Sequence, residues 1–200
     1  MIRTILLSLA IALTALPASA RETVEMRAEE GGTAPAIPTP DVGLAIGQTV
    51  PHVELVRTNG AIADLPELMG ERGAAIVFVR SVDWCPYCQK QLKQIDEIAG
   101  ELSELGWPLV AVSYDDSELL AEFSEKHGLS YEFASDPESQ AIKDFNLLNE
   151  GMTPGSRYYG VPHPAIFFVD TDRSVRAVLR EESYKDRPAM EIVLHIAAQL

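Results

Sequence analysis

Two cysteines, Cys85 and Cys88, are the residues whose spacing points most directly to chemistry. They are the only cysteines among the 200 residues of the chain, and only Pro86 and Tyr87 separate them. A disulfide between them closes a very small loop, and such a loop restricts the unfolded chain least and therefore stabilises a fold least. The spacing predicts a pair that alternates between dithiol and disulfide, rather than a structural crosslink.

A structural zinc site is the main alternative for two cysteines at this spacing. Zinc in such sites takes four protein ligands. The sequence contains no second pair of cysteines and no closely spaced pair of histidines that would complete the set. We therefore expect neither a metal nor another cofactor at Cys85 and Cys88.

The predicted elements around the cysteines define their position. Residues 74–80 (AAIVFVR) form an apolar run that fits a buried strand, and apolar residues recur at helical spacing from Cys88 to about Gly106. Cys85 then lies at or just before the first turn of a helix, where unpaired N–H groups and the helix dipole stabilise a thiolate. Cys88 follows one turn later, close to Cys85. We expect Cys85 to be the nucleophile and Cys88 the resolving thiol.

Three residues beside the cysteines are candidates for a supporting or substrate-binding role. Pro86 is tolerated in a first helical turn because its missing N–H would be unpaired there anyway, and it stiffens the loop. Trp84 and Tyr87 have two interpretations of equal weight. They form either an apolar collar for a partner chain or part of the ordinary packing.

The rest of the chain alternates strand-like runs with helical patterns, which predicts an α/β fold with a central mixed sheet flanked by helices. Asp115, Asp116 and Ser117 are candidate N-cap residues for the second helix, which Gly128 ends. A long loop at residues 147–163 is expected to border a binding site. Further strands are expected at residues 109–114, 131–134, 165–170 and 175–180, and further helices at residues 138–145 and 188–200.

The N-terminus has the pattern of a secretory signal peptide. Arg3 precedes an apolar run at residues 5–16, and residues 18–20 (ASA) have the small side chains of a cleavage site. The run is shorter than the stretch of about 20 apolar residues that spans a membrane. We divide the chain into a signal peptide (1–20), a flexible leader (21–41) and one domain (42–200). This predicts a secreted, periplasmic protein of a bacterium with no stable membrane insertion after cleavage.

The charge of the chain argues against one class of partner. The formal net charge is −14 at pH 7. A surface this acidic repels the phosphate backbone of a nucleic acid. We therefore expect no nucleic-acid partner.

Three segments resemble the thioredoxin-like superfamily, specifically its redoxin branch of AhpC/TSA-like proteins, which includes periplasmic thiol-disulfide oxidoreductases and peroxiredoxins. They are WCPYC after the buried strand, GQTVPHVELVRTNG, which resembles the opening hairpin of that branch, and GVPHPAIFFVD. The resemblance covers most of residues 46–200 and implies a thioredoxin-like fold with an N-terminal hairpin extension. It also implies a cis-proline at Pro164, preceded by His163, that faces the dithiol and leaves the neighbouring backbone free to pair with an extended substrate.

The resemblance leaves a choice between disulfide exchange and peroxide reduction. If Cys85 is the peroxidatic cysteine, Phe78 and Val82 replace the proline and threonine of the peroxiredoxin pattern, and Pro164 replaces its arginine. We therefore expect a thiol-disulfide oxidoreductase that acts on protein disulfides or dithiols and exchanges electrons with an upstream thiol-redox partner. A peroxiredoxin-like peroxidase that reduces hydroperoxides at Cys85 is the alternative.

Other residues leave further questions open. Arg80 and Arg157 are candidate cations for the thiolate, although a surface or ion-paired arginine is the simpler interpretation of each. The buried acid of thioredoxin falls at Val79, so the proton that exchange releases must leave by another route.

Copper-delivery proteins of the same fold bind Cu(I) through two cysteines and a histidine, and His163 lies in the corresponding region. A Cu(I)-binding chaperone is therefore a second alternative.

Overall fold

The structure is a computed structural model that describes residues 41–200. The expected signal peptide at residues 1–20 lies outside the described residues, as does the leader up to residue 40. The division of the chain into these segments and one domain therefore stays a prediction.

Seven strands form one mixed sheet: β1 (Glu54–Arg57), β2 (Ile62–Asp64), β3 (Gly73–Phe78), β4 (Leu109–Ser113), β5 (Glu132–Ser135), β6 (Ala165–Asp170) and β7 (Val175–Leu179). Their order across the sheet is β2-β1-β5-β4-β3-β6-β7. β4 pairs in parallel with both β3 and β5, whereas the other neighbours are antiparallel. The expected mixed sheet is confirmed, and β1 and β2 form the expected N-terminal hairpin.

Four α-helices accompany the sheet in the described part of the chain: α1 (Pro86–Glu104), α2 (Ser117–His127), α3 (Gln140–Asp144) and α4 (Met190–Gln199). None of them is long and apolar enough to cross a membrane. Gly128 ends α2 in the left-handed conformation, with φ of 63°, as its position in the sequence predicts.

The core lies on both faces of the sheet because successive side chains of a strand point to opposite faces. Ala75 and Val77 of β3 belong to a cluster that includes residues of α1, α2 and α4. Ile76 and Phe78 of the same strand belong to a second cluster, which includes residues of α3 and the hairpin. The strand that leads to the cysteines is therefore buried on both sides.

Candidate active site

The two cysteines lie at the start of α1. Cys85 is the N-cap residue and Pro86 begins the helix, as the sequence predicts. The two cysteines are joined in a disulfide, with their Cα atoms 5.3 Å apart. The backbone N–H of Cys88 donates a hydrogen bond to Cys85 Sγ at 3.3 Å. This N–H is one of the helix-terminal donors that stabilise negative charge on a sulfur atom.

A buried carboxylate holds the loop that precedes the cysteines. Asp115 follows β4 and accepts hydrogen bonds from Ser81 Oγ at 2.8 Å and from the backbone N–H of Val82 at 2.7 Å. Ser113 Oγ donates a third at 2.9 Å. Burial raises the pKa of Asp115, although these hydrogen bonds oppose the rise. Asp116, one of the three N-cap candidates of the sequence, is the N-cap residue of α2.

A cleft of about 280 Å³ reaches Cys85. Two of its residues, Met152 and Tyr158, come from the long loop at 147–163, which borders the site as expected. The structure also brings Trp84, Pro86 and Tyr87 together at this cleft, where the sequence placed its supporting candidates. The remaining lining residues are Arg80 and Tyr184.

Arg80 is the cation of this cleft. Its guanidinium lies 4.9 Å from the ring centroid of Trp84 and 4.5 Å from that of Tyr184. Its Nε atom is buried and has no hydrogen-bond partner among the described residues. Arg157 is different, because it is exposed and forms an ion pair with Asp83 at 3.2 Å. Of the two arginines that the sequence singled out, Arg80 lines the cleft over Cys85 and Arg157 is the ion-paired surface residue.

A second arginine beside the dithiol was missed by the sequence analysis. Arg187 lies between β7 and α4, and its Nη2 is 3.5 Å from Cys88 Sγ. Its Nε donates to Gln91 Oε1 at 2.6 Å. Because Arg187 and Cys88 are 99 residues apart in the sequence, no local pattern links them.

The two aromatic neighbours of the cysteines differ in their surroundings. Trp84 is half-buried, and its Nε1–H donates to Tyr114 Oη at 2.9 Å. Its ring meets that of Tyr158 edge-on, with the centroids 4.8 Å apart. Tyr87 is exposed, and its ring lies 6.1 Å from that of Tyr184. Trp84 is therefore anchored in the packing, whereas Tyr87 presents surface at the rim of the cleft.

Pro164 departs from the arrangement that the resemblance implies. No peptide bond is cis among residues 41–200, so the expected cis-proline is wrong and the bond between His163 and Pro164 is trans. The trans form is the lower-energy isomer of such a bond by about 0.5–1 kcal/mol. The backbone N–H of His163 donates to the carbonyl oxygen of Leu147 at 2.7 Å. The chain entering β6 is thus paired with the long loop.

His163 lines a separate cleft that contains neither cysteine. Burial, followed by the charges of Arg180 and Arg80, lowers the pKa of its imidazole. One group of potential metal ligands comes together in the part of the chain that the structure describes, and it lies at the hairpin. It consists of His52, Glu54 and Asp64. Nothing in this geometry favours the Cu(I) alternative.

The AhpC/TSA family matches residues 46–178. The chain belongs to the AhpC/TSA family. This membership confirms the redoxin branch of the thioredoxin-like superfamily that the sequence resembles.

Two curated relatives are peroxiredoxins by name, and a solved structure shares the fold. The chain is 29% identical over 143 residues to 1-Cys peroxiredoxin B of Oryza sativa subsp. indica, covering 67% of this chain and 63% of the relative. The chain thus spans less than two thirds of that relative. It is 25% identical over 149 residues to the putative peroxiredoxin bcp of Haemophilus influenzae, covering 74% and 94%. Peroxidoxin BcpB from Mycobacterium tuberculosis matches with a TM-score of 0.65 at 23% identity, over 79% of this chain and 97% of that one, which confirms the fold.

Proposed function

We propose that this protein is a thiol peroxidase, in which Cys85 reduces a hydroperoxide and Cys88 resolves the oxidised product. Membership of the AhpC/TSA family and relatives named peroxiredoxins support this function over protein disulfide exchange. One observation of the site carries the proposal. Arg80 lines the same cleft as Cys85, so its guanidinium brings a positive charge to the place where a peroxide would meet the thiolate.

The first step is attack of the Cys85 thiolate on the outer peroxide oxygen. The sulfur–oxygen bond forms as the oxygen–oxygen bond breaks, so that sulfur loses two electrons and the peroxide gains them. The leaving alkoxide or hydroxide takes a proton from water, and Cys85 becomes a sulfenic acid. The charge of Arg80 and the N–H groups at the start of α1 stabilise the negative charge in this step.

The second step closes the disulfide that the structure contains. The Cys88 thiolate attacks the sulfur of the Cys85 sulfenic acid, the sulfur–sulfur bond forms, and the sulfur–oxygen bond breaks. Hydroxide leaves and is protonated by solvent. A dithiol partner must then reduce this disulfide through a mixed disulfide, which makes a thiol-redox protein the second substrate of the cycle.

Disulfide exchange with protein substrates is the second candidate, and one observation favours it. Val82 and Phe78 occupy the threonine and proline positions of the peroxiredoxin pattern, and both are buried in the core. Val82 cannot supply the hydroxyl of a threonine. The exposed side chain of Tyr87 also gives the rim apolar surface for a polypeptide.

A direct test compares three oxidants on the reduced full-length protein. Hydrogen peroxide and an organic hydroperoxide are each mixed with it in a stopped-flow instrument, and a disulfide-bonded protein serves as the third reactant. We expect the peroxides to have the larger second-order rate constants, and Cys88→Ser to accumulate a sulfenic acid on Cys85 that dimedone traps. Faster reaction with the protein disulfide, with a mixed disulfide trapped on Cys88→Ser, would establish the second candidate instead.

The role of Arg80 has a matched control on the same chain. Arg80→Met removes the charge beside Cys85 and is expected to lower the peroxide rate constant about tenfold or more, as for loss of a charged hydrogen-bond donor. Arg176→Met removes an exposed arginine that pairs with Asp170 at 3.1 Å, away from the cysteines. The peroxide rate constant of Arg176→Met should equal that of the protein without substitutions. Equal effects of the two substitutions would contradict a specific role for Arg80.

We also propose that the protein is exported to the periplasm, on the basis of the signal-peptide pattern at residues 1–20. Expression of the full chain in a Gram-negative host, followed by osmotic shock and N-terminal sequencing, tests this. Release of a chain that begins at Arg21 supports export. Retention in the cytoplasm with Met1 intact refutes it.

A further inference from the structure

Cys88 faces a physical difficulty in the resolving step. Its side chain is 0% exposed. Burial in an apolar environment disfavours a thiolate, yet only the thiolate attacks at a useful rate. Val79, at the position of the buried acid of thioredoxin, is apolar and cannot take the proton. Some other group must stabilise the thiolate of Cys88 so that it is populated at neutral pH.

All three nitrogens of the Arg187 guanidinium make contacts, one with this sulfur and two with groups that hold the side chain in place. Nη2 lies 3.5 Å from Cys88 Sγ, and Nε donates to Gln91 Oε1 at 2.6 Å. Nη1 donates to the backbone carbonyl oxygens of Tyr184 and Asp186. Gln91 is itself buried on α1, one turn beyond Cys88. The orientation of the guanidinium is therefore fixed from two elements, α1 and the segment before α4.

The charge around Cys88 is unbalanced in the disulfide state. Burial, and then the nearby charge of Arg80, lowers the pKa of Arg187, whereas Asp186 acts in the opposite direction. The groups that bring charge to this point are thus Arg187 and Asp186 from the segment before α4, and Arg80 from the loop after β3. A disulfide offers the two guanidinium groups no negative charge. A thiolate at Cys88 carries a negative charge, and its sulfur lies within charge-assisted hydrogen-bond distance of Arg187 Nη2.

We infer that Arg187 is a catalytic residue of the resolving step, which stabilises the thiolate of Cys88 so that this thiol can close the disulfide. The inference rests on the dithiol cycle proposed above. A guanidinium has no acceptor, so Arg187 does not take the proton, which leaves to water before the sulfur attacks. Because the reduced form gains a charge interaction that the disulfide lacks, Arg187 also makes the disulfide easier to reduce.

The test measures the ionisation of Cys88 without any peroxide. In a Cys85→Ser variant, the ultraviolet absorbance of the Cys88 thiolate is followed against pH, a readout that needs no reagent to reach the buried sulfur. We expect a midpoint below about 8.5, the value for an unperturbed cysteine. Adding Arg187→Met should raise the midpoint by about one pH unit or more, which corresponds to about tenfold less thiolate at pH 7. Arg187→Lys should give an intermediate midpoint, because lysine keeps the charge but not the planar fork.

A second readout uses both cysteines. The protein is equilibrated with reduced and oxidised glutathione at a pH above both midpoints, where the thiolate predominates. Arg187→Met should there shift the equilibrium constant toward the disulfide by about tenfold, the factor that corresponds to one pH unit of midpoint. Arg176→Met is the matched control and should shift neither readout. If Arg187→Met does not fold, Gln91→Met releases one anchor of the guanidinium and should raise the titration midpoint of Cys88 by a smaller amount.

Two results would overturn the inference. One is a midpoint at or above about 8.5 with Arg187 intact, because burial then outweighs the guanidinium. The other is an unchanged midpoint and an unchanged glutathione equilibrium in Arg187→Met. Neither result depends on peroxide. A failure of the peroxide assay alone removes the proposed function and leaves the ionisation of Cys88 as a separate measurement.

Discussion

Replacing Asp115 with alanine is expected to weaken both the fold and the chemistry at Cys85. The carboxylate is the shared acceptor for Ser81 Oγ, the N–H of Val82 and Ser113 Oγ, all within 2.7–2.9 Å. A buried N–H left without a partner costs about 1–3 kcal/mol, and each hydroxyl that must find another partner loses about 0.5–1.5 kcal/mol. Removing a desolvated charge offsets part of this loss. We expect a decrease in the free energy of unfolding of about 2–4 kcal/mol.

Asp115→Asn separates the charge from the hydrogen bonds. The amide oxygen still accepts from Val82, so the loss should be smaller, about 1 kcal/mol at neutral pH. Burial raises the pKa of Asp115 above the ordinary value of 3.8, so the native state holds the proton more tightly than the unfolded state. Ionisation of this group therefore costs stability as pH rises from about 4 toward its raised pKa. That decline should disappear in Asp115→Asn.

Chemical denaturation from pH 3.5 to 7 measures the free energies of unfolding. Stopped-flow kinetics measures the rate constant for the reaction of Cys85 with hydrogen peroxide. Loosening of the loop at residues 81–84 should slow that reaction by about 10- to 100-fold in Asp115→Ala. Asp136 provides the matched control, because burial also raises its pKa while its carboxylate accepts N–H groups of Gln140 and Ile142 at the start of α3. Asp136→Ala should lose stability and keep the rate. Equal rates in the two alanine variants would refute a positioning role for Asp115.

The remaining predictions concern two glycines and are measured by the same denaturation assay. Gly73→Ala should destabilise the protein by more than about 3 kcal/mol, because its Cβ would lie 2.0 Å from the carbonyl oxygen of Val169 at the β3–β6 pairing. Gly128→Ala should cost only about 1 kcal/mol, because the left-handed φ of 63° is strained for alanine but nothing lies within 4 Å of the new Cβ. A loss at Gly128 as large as that at Gly73 would contradict this ranking.

Much of the fold could be predicted from the sequence because the central strands are continuous apolar runs. The expected strand at residues 165–170 is β6, and the expected strand at 74–80 overlaps β3. The short helix was predicted too long, at residues 138–145 rather than Gln140–Asp144. Its start depends on Ser139, which has a positive φ of 54°, and on the carboxylate of Asp136. Neither the backbone conformation nor that contact follows from helical periodicity.

In the candidate site, too, residues that are adjacent in the sequence could be predicted, and residues that come from distant parts of the chain could not. Cys85, Pro86 and Cys88 could be placed at a helix N-terminus because strand, motif and helix are adjacent in the sequence. Asp115 and Arg187 could not, because they reach the site from other elements through the tertiary fold. The Pro164 expectation came from resemblance to a superfamily, and a resemblance does not determine the isomer of one peptide bond.

The proposed peroxidase chemistry would have to proceed without the usual residues of the peroxiredoxin pattern. Phe78, Val82 and Pro164 occupy the proline, threonine and arginine positions of the pattern. The guanidinium groups beside the dithiol instead come from Arg80 and Arg187. Coulombic stabilisation of a thiolate depends on the distance and burial of the cation and not on its place in the chain. A motif search rejects this site for its missing arginine, whereas the structure provides two, one in the cleft over Cys85 and one against Cys88.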